Sequence, residues 1–214
     1  MKKVETKNLN IYISSVGMIR TNCYFVGNKN SDEIIIIDPG EDCEELVELI
    51  ESENLKPVGI FLTHGHFDHI LAVDELSDKY SIKVFICEDE EELIKDNNLN
   101  CSSQFRRTCS VHADELFRDG QIMEIGGMQF KVLHTPGHTS GSCCFYFEED
   151  RVLFTGDTVF YLSVGRTDFP TGSGPTLLRS IQEKLVPLDD DVVIYPGHGE
   201  DTTIGFEKIN SEYW

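Results

Sequence analysis

The sequence has few basic residues, no long apolar run and no CxxC pair of cysteines. Its 214 residues include 18 lysines and arginines against 38 aspartates and glutamates, a formal net charge of -20. An acidic surface repels phosphate backbones and anionic lipids, so we expect no nucleic-acid partner. No segment has the run of about 20 apolar residues that a membrane-spanning helix needs, and the N-terminus shows no apolar core of a signal peptide. These absences predict a cytoplasmic protein with no membrane partner.

The seven cysteines are scattered, form no CxxC pair and are odd in number. In the absence of an export signal, this pattern predicts reduced thiols rather than a disulfide framework. Cys143 and Cys144 are adjacent in a strand-like run, where one side chain faces the core and its neighbour faces away. We therefore interpret both as structural residues.

The chain is long enough for one large domain, and we predict a single domain over residues 1–214. Four consecutive isoleucines at 34–37 indicate a strand that is buried on both faces. Strand and helix patterns alternate as far as residue 95, and strand patterns return between 121 and 154. The order strands, helices, strands, helices predicts an α+β fold with two β-sheets packed face to face and helices outside.

Local signals add detail to this outline. Asp42, with Glu45 three residues later, resembles a capping box that opens a helix. A second helix is predicted from about 69 to 79, and Pro175 suits the first turn of a later helix. Residues 96–112 show no periodicity, and we interpret them as a loop or lid near the functional site.

The most informative stretch follows a strand-like run and reads Thr63-His64-Gly65-His66-Phe67-Asp68-His69. On an extended backbone side chains alternate sides, so the first two histidines and the aspartate project toward one cavity, and the last histidine follows as the chain turns into a helix. The whole sequence contains only seven histidines, which makes a chance cluster a poor explanation. The spacing predicts ligands for one or two metal ions.

Three further turns follow apolar strands and place a histidine or an aspartate beside a glycine. They contain His138, Asp157 and His198, each at a rigid strand end that can direct a side chain into a shared cavity. With the first stretch they provide five histidines and two aspartates. Seven ligands exceed the needs of one tetrahedral zinc ion and suit two metals that share a carboxylate.

This ordered pattern resembles the metallo-β-lactamase superfamily, and within it the short, single-domain glyoxalase II-like (hydroxyacylglutathione hydrolase-like) hydrolases. The resemblance extends over nearly the whole chain and implies a four-layer αβ/βα sandwich. It implies one metal held by His64, His66 and His138, a second held by Asp68, His69 and His198, and Asp157 as the bridge between them. In the superfamily a carboxylate at the bridging position is kept by the hydrolase branches and is absent from the β-lactamases proper.

The resemblance also implies the chemistry. Two divalent ions, zinc first with iron or manganese as alternatives, hold a bridging hydroxide that attacks a thioester such as S-lactoylglutathione. Asp68 and Asp157 are the implied catalytic carboxylates, and Asp68 is also a candidate proton shuttle. A thiolate leaving group needs little protonation, which suits a site without a dedicated general acid. The expected partner is a small-molecule thioester.

Three residues near these motifs are not predicted as metal ligands. The segment from Gly165 to Pro170 resembles one in short glyoxalase II-like proteins and in persulfide dioxygenases. Within it, Arg166 either binds an anionic group of the substrate or pairs with Asp168 to brace the loop. We interpret His134 as a packing or supporting residue, and we assign no role to His112.

The alternatives differ in the reaction rather than in the fold. Full-length glyoxalase II enzymes carry a C-terminal helical domain that supplies basic residues for glutathione, whereas this sequence ends at Trp214, shortly after His198. The resemblance therefore implies the hydrolytic site but leaves most of the glutathione pocket missing. An iron-dependent persulfide dioxygenase, with one iron held by two histidines and an aspartate, and a metallo-hydrolase of another small ester are the alternatives. The net charge argues against a nuclease, and a non-catalytic binding module would have lost ligands.

Overall fold

Two β-sheets lie face to face between layers of helices in the computed structural model, which describes residues 2–214. The first sheet contains β1 (Lys2–Glu5), β2 (Leu9–Val16), β3 (Thr21–Asn28), β4 (Glu33–Ile37), β5 (Lys56–Phe61), β6 (Val84–Cys87) and β7 (Glu115–Phe117). Its strands are neighbours in chain order, antiparallel as far as β4 and parallel from β4 to β7.

The second half of the chain forms the other sheet and a short hairpin. Its strands are β8 (Ile122–Ile125), β9 (Met128–His134), β10 (Cys143–Phe147), β11 (Val152–Gly156), β12 (Val159–Phe160), β13 (Ser163–Val164), β14 (Val193–Pro196) and β15 (Thr202–Thr203). The sheet has the order β15-β14-β11-β10-β9-β8, and β12 pairs only with β13. Within the sheet β11 and β14 are parallel, so both strands end at the same edge.

Six α-helices cover the outer faces of the sheets or connect their strands. They are α1 (Cys43–Ser52), α2 (Phe67–Ile70), α3 (Val73–Tyr80), α4 (Glu91–Lys95), α5 (Gly174–Ser180) and α6 (Ile204–Asn210). A π-helical turn at Ile181–Leu185 continues α5. No helix within residues 2–214 is long and apolar enough to cross a membrane.

Three apolar layers hold these elements together, as expected for four stacked layers of structure. The isoleucine strand β4 supplies two of them, because Ile34 and Ile36 pack toward the helices while Ile35 and Ile37 pack between the sheets. Cys143 lies between the sheets, and its neighbour Cys144 lies in the layer under α5. All seven cysteines are free thiols. The predicted α+β fold with two facing sheets is confirmed.

The structure corrects three local predictions. Asp42 does not cap α1 with its side chain; it has a left-handed backbone (φ 56°), and its carboxylate accepts a hydrogen bond from the Gly17 N–H at 2.7 Å. The helix predicted from about 69 to 79 is divided into α2 and α3. Strand β7, three residues long, was not predicted because so short a segment cannot display an alternating pattern.

Candidate metal centre

The four histidine- and aspartate-bearing turns meet at one edge of the two sheets. The N–H of Cys143, at the start of β10, donates to the Thr63 carbonyl at 2.9 Å and joins the sheets there. The N–H of Asn22 in β3 donates to the Gly197 carbonyl at 2.7 Å. These backbone contacts place the loops that follow β5, β9, β11 and β14 around a common centre.

The first donor group consists of three buried histidines. One ligand atom from each of His64, His66 and His138 lies within 4.8 Å of the others. His66 Nδ1 and His138 Nε2 are 2.8 Å apart. The three side chains are at most 4% exposed, so this group is a compact set of imidazoles shielded from water.

The second donor group contains a carboxylate and two histidines. One ligand atom from each of Asp68, His69 and His198 lies within 4.8 Å of the others. Asp68 Oδ2 is 3.3 Å from His198 Nε2 and 3.6 Å from His69 Nε2. His69 is fully buried, whereas the other two side chains are partly exposed, so this group faces the opening of the site.

Asp157 lies between the two groups and reaches both. Its Oδ2 is 3.5 Å from His138 Nε2 in the first group. Its Oδ1 is 3.3 Å from His69 Nε2 and 3.6 Å from His198 Nε2 in the second. A carboxylate with one oxygen toward each set of donors has the position required of a bridge.

The chemistry of these side chains fits two divalent metals. Four of their polar atoms are buried without a hydrogen-bond partner in residues 2–214: His64 Nε2, His66 Nε2, His69 Nε2 and Asp157 Oδ1. Leaving such atoms unpaired is costly unless a ligand satisfies them. Imidazole and carboxylate donors without thiolate accept zinc, iron or manganese. The seven predicted residues therefore come together as a dinuclear metal-binding arrangement.

Asp38 supports both donor groups, a role that sequence reasoning missed. This buried carboxylate at the end of β4 lies 3.0 Å from His69 Nδ1 and accepts hydrogen bonds from the Thr63 N–H at 2.8 Å and the Thr63 hydroxyl at 2.6 Å. The Thr63 hydroxyl in turn lies 3.2 Å from His64 Nδ1. In the sequence Asp38 stands out only as the residue that ends a strand, because its partners Thr63 and His69 lie 25 and 31 residues away in the chain.

Glu90 is a second buried carboxylate that was not predicted. It accepts a hydrogen bond from the Gly65 N–H at 3.0 Å and from the Gly141 N–H at 2.7 Å. Gly65 separates His64 from His66, and Gly141 lies in the loop of His138, so Glu90 joins the two loops of the first donor group. Burial raises its pKa to about 7, although the hydrogen bonds from the two glycines act in the opposite direction.

Two glycines allow the backbone to approach the centre closely. A Cβ atom at Gly197 would collide with Asp157 Oδ1 and with His69 Cε1, and one at Gly165 would collide with the Asp157 carbonyl oxygen. A hydroxyl also reaches the centre, since Thr21 Oγ1 donates to Asp68 Oδ2 at 2.9 Å. The site therefore depends on neighbours that leave room for its carboxylates or orient them.

The two donor groups differ in charge. Burial lowers the pKa of His66 to about 3 and holds that of His64 well below its usual value, so both imidazoles are neutral. Burial also acts to lower the pKa of His69, but Asp68, Asp157 and Asp38 outweigh it and raise that pKa well above its usual value. Burial likewise opposes protonation of His198, yet its hydrogen bond with Asp68 raises its pKa. The pKa shifts therefore run in opposite directions, downward for His64 and His66 of the first group and upward for His69 and His198 of the second.

The other predicted residues lie around this centre. Arg166 forms a two-pronged ion pair with Asp168, both N···O distances being 2.7 Å, and its guanidinium lies 3.8 Å from the centre of the Phe169 ring. Its backbone carbonyl accepts a hydrogen bond from His138 Nδ1 at 2.7 Å. His134 Nε2 instead lies 2.9 Å from the Ser140 carbonyl oxygen, outside both donor groups.

The irregular segment 96–112 lies against the stretch that carries the histidines. The backbone carbonyl of its buried Asn100 accepts a hydrogen bond from the Phe67 N–H at 2.9 Å. The Asn100 side-chain amide donates to the Cys109 carbonyl at 2.7 Å. A short 3-10 turn at Ser102–Phe105 follows. His112 is exposed in the same segment and belongs to neither donor group.

Comparisons with known proteins give the class. The family model described as the metallo-beta-lactamase superfamily matches residues 16–198, and the chain belongs to this superfamily. A Haemophilus influenzae protein named hydroxyacylglutathione hydrolase GloC is 36% identical over 208 residues, which cover 96% of this chain and 98% of the relative.

Two solved structures are similar over nearly the whole chain. The BLEG-1 B3 metallo-beta-lactamase is 40% identical, with a TM-score of 0.91 over 95% of this chain and 98% of that one. TTHA1623, solved in a di-iron-bound form, is 31% identical, with a TM-score of 0.86 over 95% of this chain and 100% of that one. The resemblance seen in the sequence is confirmed at the level of the family and its glyoxalase II-like members.

Proposed function

We propose that this protein is a dinuclear metal-dependent hydrolase of thioesters. His64, His66 and His138 would hold one metal, Asp68, His69 and His198 would hold the other, and Asp157 would lie between them. The observation that carries the proposal is the position of Asp157, whose two oxygens lie within 3.6 Å of histidines in both groups. A pair of divalent ions held by these residues would lower the pKa of water toward neutrality and polarise a carbonyl.

The chain's own residues hold and move the proton in this reaction. Burial acts to raise the pKa of Asp68, but His69 and His198 outweigh it and lower that pKa, so the carboxylate is ionised at neutral pH. It lies on the open side of the centre and can accept the proton of an attacking water. Water adds across the thioester, the C–S bond breaks, and a carboxylate and a thiol are released. Because a thiolate leaves readily, this reaction needs no separate acid.

The glyoxalase II-like substrate class is supported by the relative from Haemophilus influenzae. That protein is named hydroxyacylglutathione hydrolase, and the alignment covers 98% of its length. The relative that has this name is therefore about as long as this chain. Arg166 is the basic residue proposed to meet an anionic group of the substrate. S-D-lactoylglutathione is therefore the first substrate to test, and zinc, iron and manganese are the metals to compare.

The test compares three proteins whose metal content has been measured. Wild type should hydrolyse S-D-lactoylglutathione, Asp157→Ala should lose the activity together with bound metal, and Asp32→Ala, which removes an exposed carboxylate paired with Lys56, should retain both. A thioester of a small thiol without the glutathione moiety shows whether glutathione is used. Oxygen consumption with one bound iron and no hydrolysis would overturn the proposal in favour of the dioxygenase.

Hydrolysis of β-lactams is a second candidate, favoured by the 40% identity to the BLEG-1 enzyme. The same centre could polarise the amide of a lactam ring. Against this candidate, an amine leaves less readily than a thiolate, and the sequence resemblance associates a carboxylate at the position of Asp157 with the hydrolase branches rather than with the β-lactamases proper. A chromogenic cephalosporin should be assayed beside the thioester. A kcat/KM for the cephalosporin that exceeds the thioester value would reverse the order of the two candidates.

A further inference from the structure

A cavity of about 200 Å³ opens beside the second donor group. Asp68 and Thr21 line its inner end, where the Thr21 hydroxyl donates to Asp68 Oδ2. The cavity therefore borders the second donor group at Asp68.

Apolar side chains form the two walls of this cavity. The turn between β2 and β3 supplies Met18, which is 90% exposed, and Ile19, which is 42% exposed. The opposite wall contains Phe67 and Phe105, whose rings stack with their centroids 4.5 Å apart. Side chains of this size that are left exposed around one concave surface are typical of a site for an apolar ligand.

The charged residues of the cavity are already paired. Arg107 forms an ion pair with Glu41 at the rim, so neither is free to attract a charged group. Arg166, the basic residue proposed to meet an anionic group, does not line the cavity and instead contacts His138 of the first donor group. A substrate bound across the centre thus meets an apolar surface at one end and a positive charge at the other.

We propose that this cavity binds an apolar chain of the substrate and makes the protein selective for thioesters that carry such a chain. The chain is attached to the scissile group on either its acyl or its thiol side. The expected selectivity in thioester hydrolysis rests on the proposed function, whereas binding of an apolar chain of the substrate in the cavity does not. Met18, Ile19, Phe67 and Phe105 determine the specificity.

Two series of thioesters test the selectivity and identify the side. One varies the acyl group from acetyl to octanoyl on a constant small thiol, and the other varies an alkyl thiol on a constant acetyl group. We expect kcat/KM to rise about three- to fourfold per methylene in one series and to level off once the chain fills the cavity. A rise in the acyl series assigns the cavity to the acyl group, and a rise in the thiol series assigns it to the leaving group.

Variants connect the selectivity to the cavity. Phe105→Ala removes one wall and should lower the ratio of hexanoyl to acetyl kcat/KM about fivefold or more. Met18→Glu places a carboxylate on the other wall and should lower the ratio further. Phe206→Ala is the matched control, because Phe206 is a partly exposed ring stacked on Tyr161 outside the cavity. It should leave the ratio unchanged.

A binding measurement separates this proposal from the reaction. The chain has four methionines, so the Met18 methyl signal can be followed by NMR and assigned with Met18→Leu. Hexanamide should shift this signal at concentrations where acetamide does not, and Phe105→Ala should weaken the effect. If no thioester is hydrolysed but hexanamide shifts Met18, the proposed function fails and the cavity assignment stands. Flat rates in both series, with no shift of Met18, would overturn the cavity assignment.

Discussion

The two donor groups of the centre lie side by side but differ in how they are built. The first consists of three buried histidines, and burial keeps His64 and His66 neutral. The second includes Asp68 and opens toward the surface, and its carboxylates raise the pKa of His69 and His198. Burying a charge is costly unless it is paired, and the two groups meet this constraint by different means. In the first group, burial disfavours charge on His64 and His66. In the second group, carboxylates lie beside His69 and His198 and can pair a positive charge there.

This difference has a consequence for metal binding. A metal requires unprotonated histidines, so binding to the second group competes with the protonation that its carboxylates favour on His69 and His198, whereas burial in the first group favours neutral His64 and His66. The supporting residues differ as well. Asp38 contacts His69 directly and His64 through Thr63, so it serves both groups, whereas Glu90 joins only the loops of the first. Substitution of a ligand or of a supporting residue should therefore affect one group alone or both groups, depending on which contacts it removes.

Removal of one ligand from either group should have the largest effect. We expect His66→Ala and His198→Ala each to lower kcat/KM on the order of a thousandfold or more, since each weakens a Lewis acid worth several kcal/mol. Elemental analysis should find about one metal per chain in each variant. His112→Ala removes an exposed histidine outside both groups and should behave as wild type. Loss of both metals from either variant would show that the groups do not bind independently.

Asp38→Asn should weaken metal binding at both groups, by about 10- to 100-fold, because residues that orient ligands have effects of this size. The asparagine keeps one carbonyl oxygen for the Thr63 N–H but loses the charge beside His69. Competition with a chelator measures the two affinities. Asp150→Asn is the control, since Asp150 also accepts from a hydroxyl and a backbone N–H but lies away from the centre, with Thr6 and Asn8 as its partners. Weakening of one site alone would contradict the shared role of Asp38.

The sequence predicts the seven residues of the centre because each follows a strand and lies beside a glycine, a proline or another ligand. Local spacing carries that information. The buried run Ile34–Ile37 and the strand Cys143–Phe147 are also predicted closely, since a run of apolar residues between turn signals is a local pattern.

The supporting residues could not be predicted in this way. Glu90 lies in an acidic segment that resembles a solvated surface, yet it is fully buried. Its local sequence does not indicate this burial, because its partner Gly141 is 51 residues away in the chain. Asp42 shows the opposite error: its spacing from Glu45 fits a capping box, but a contact with Gly17, 25 residues distant, takes its carboxylate. Contacts between distant segments decide these roles, and one sequence does not display them.

Glu90→Gln should change the pH dependence of the stability of the metal-free protein. A carboxyl group whose pKa is raised from 4.5 to about 7 on folding costs nothing below pH 4.5, where both states are protonated. The cost grows as the pH rises to about 7 and then stays constant, at about 3 kcal/mol, since one pKa unit corresponds to about 1.4 kcal/mol. The difference in unfolding free energy between variant and wild type should therefore increase in favour of the variant between pH 4.5 and 7. Urea unfolding at a series of pH values measures it.

The same variant sharpens the comparison of the groups. An amide has a single oxygen for the two N–H groups of Gly65 and Gly141, so Glu90→Gln should weaken metal binding at the first group and spare the second. Glu207→Gln removes another buried carboxylate, one that accepts from the Leu162 N–H, and controls for the loss of a buried charge. An unchanged pH dependence, or equal weakening at both groups, would contradict the role given to Glu90.

The smallest effect is expected at Arg166, beside the first group. Its ion pair with Asp168 is exposed and should contribute at most about 1 kcal/mol to stability. If the guanidinium binds an anionic substrate, Arg166→Ala should raise KM about three- to tenfold with little change in kcat, because the contact is made equally in ground and transition states. Asp168→Asn should leave KM unchanged or lower it, since it frees the same charge. Arg151→Ala, which removes an exposed arginine paired with Asp189 and Asp191, is the control in steady-state kinetics. Equal effects of Arg166→Ala and Asp168→Asn would instead assign the pair to bracing the loop, because both changes break the same ion pair.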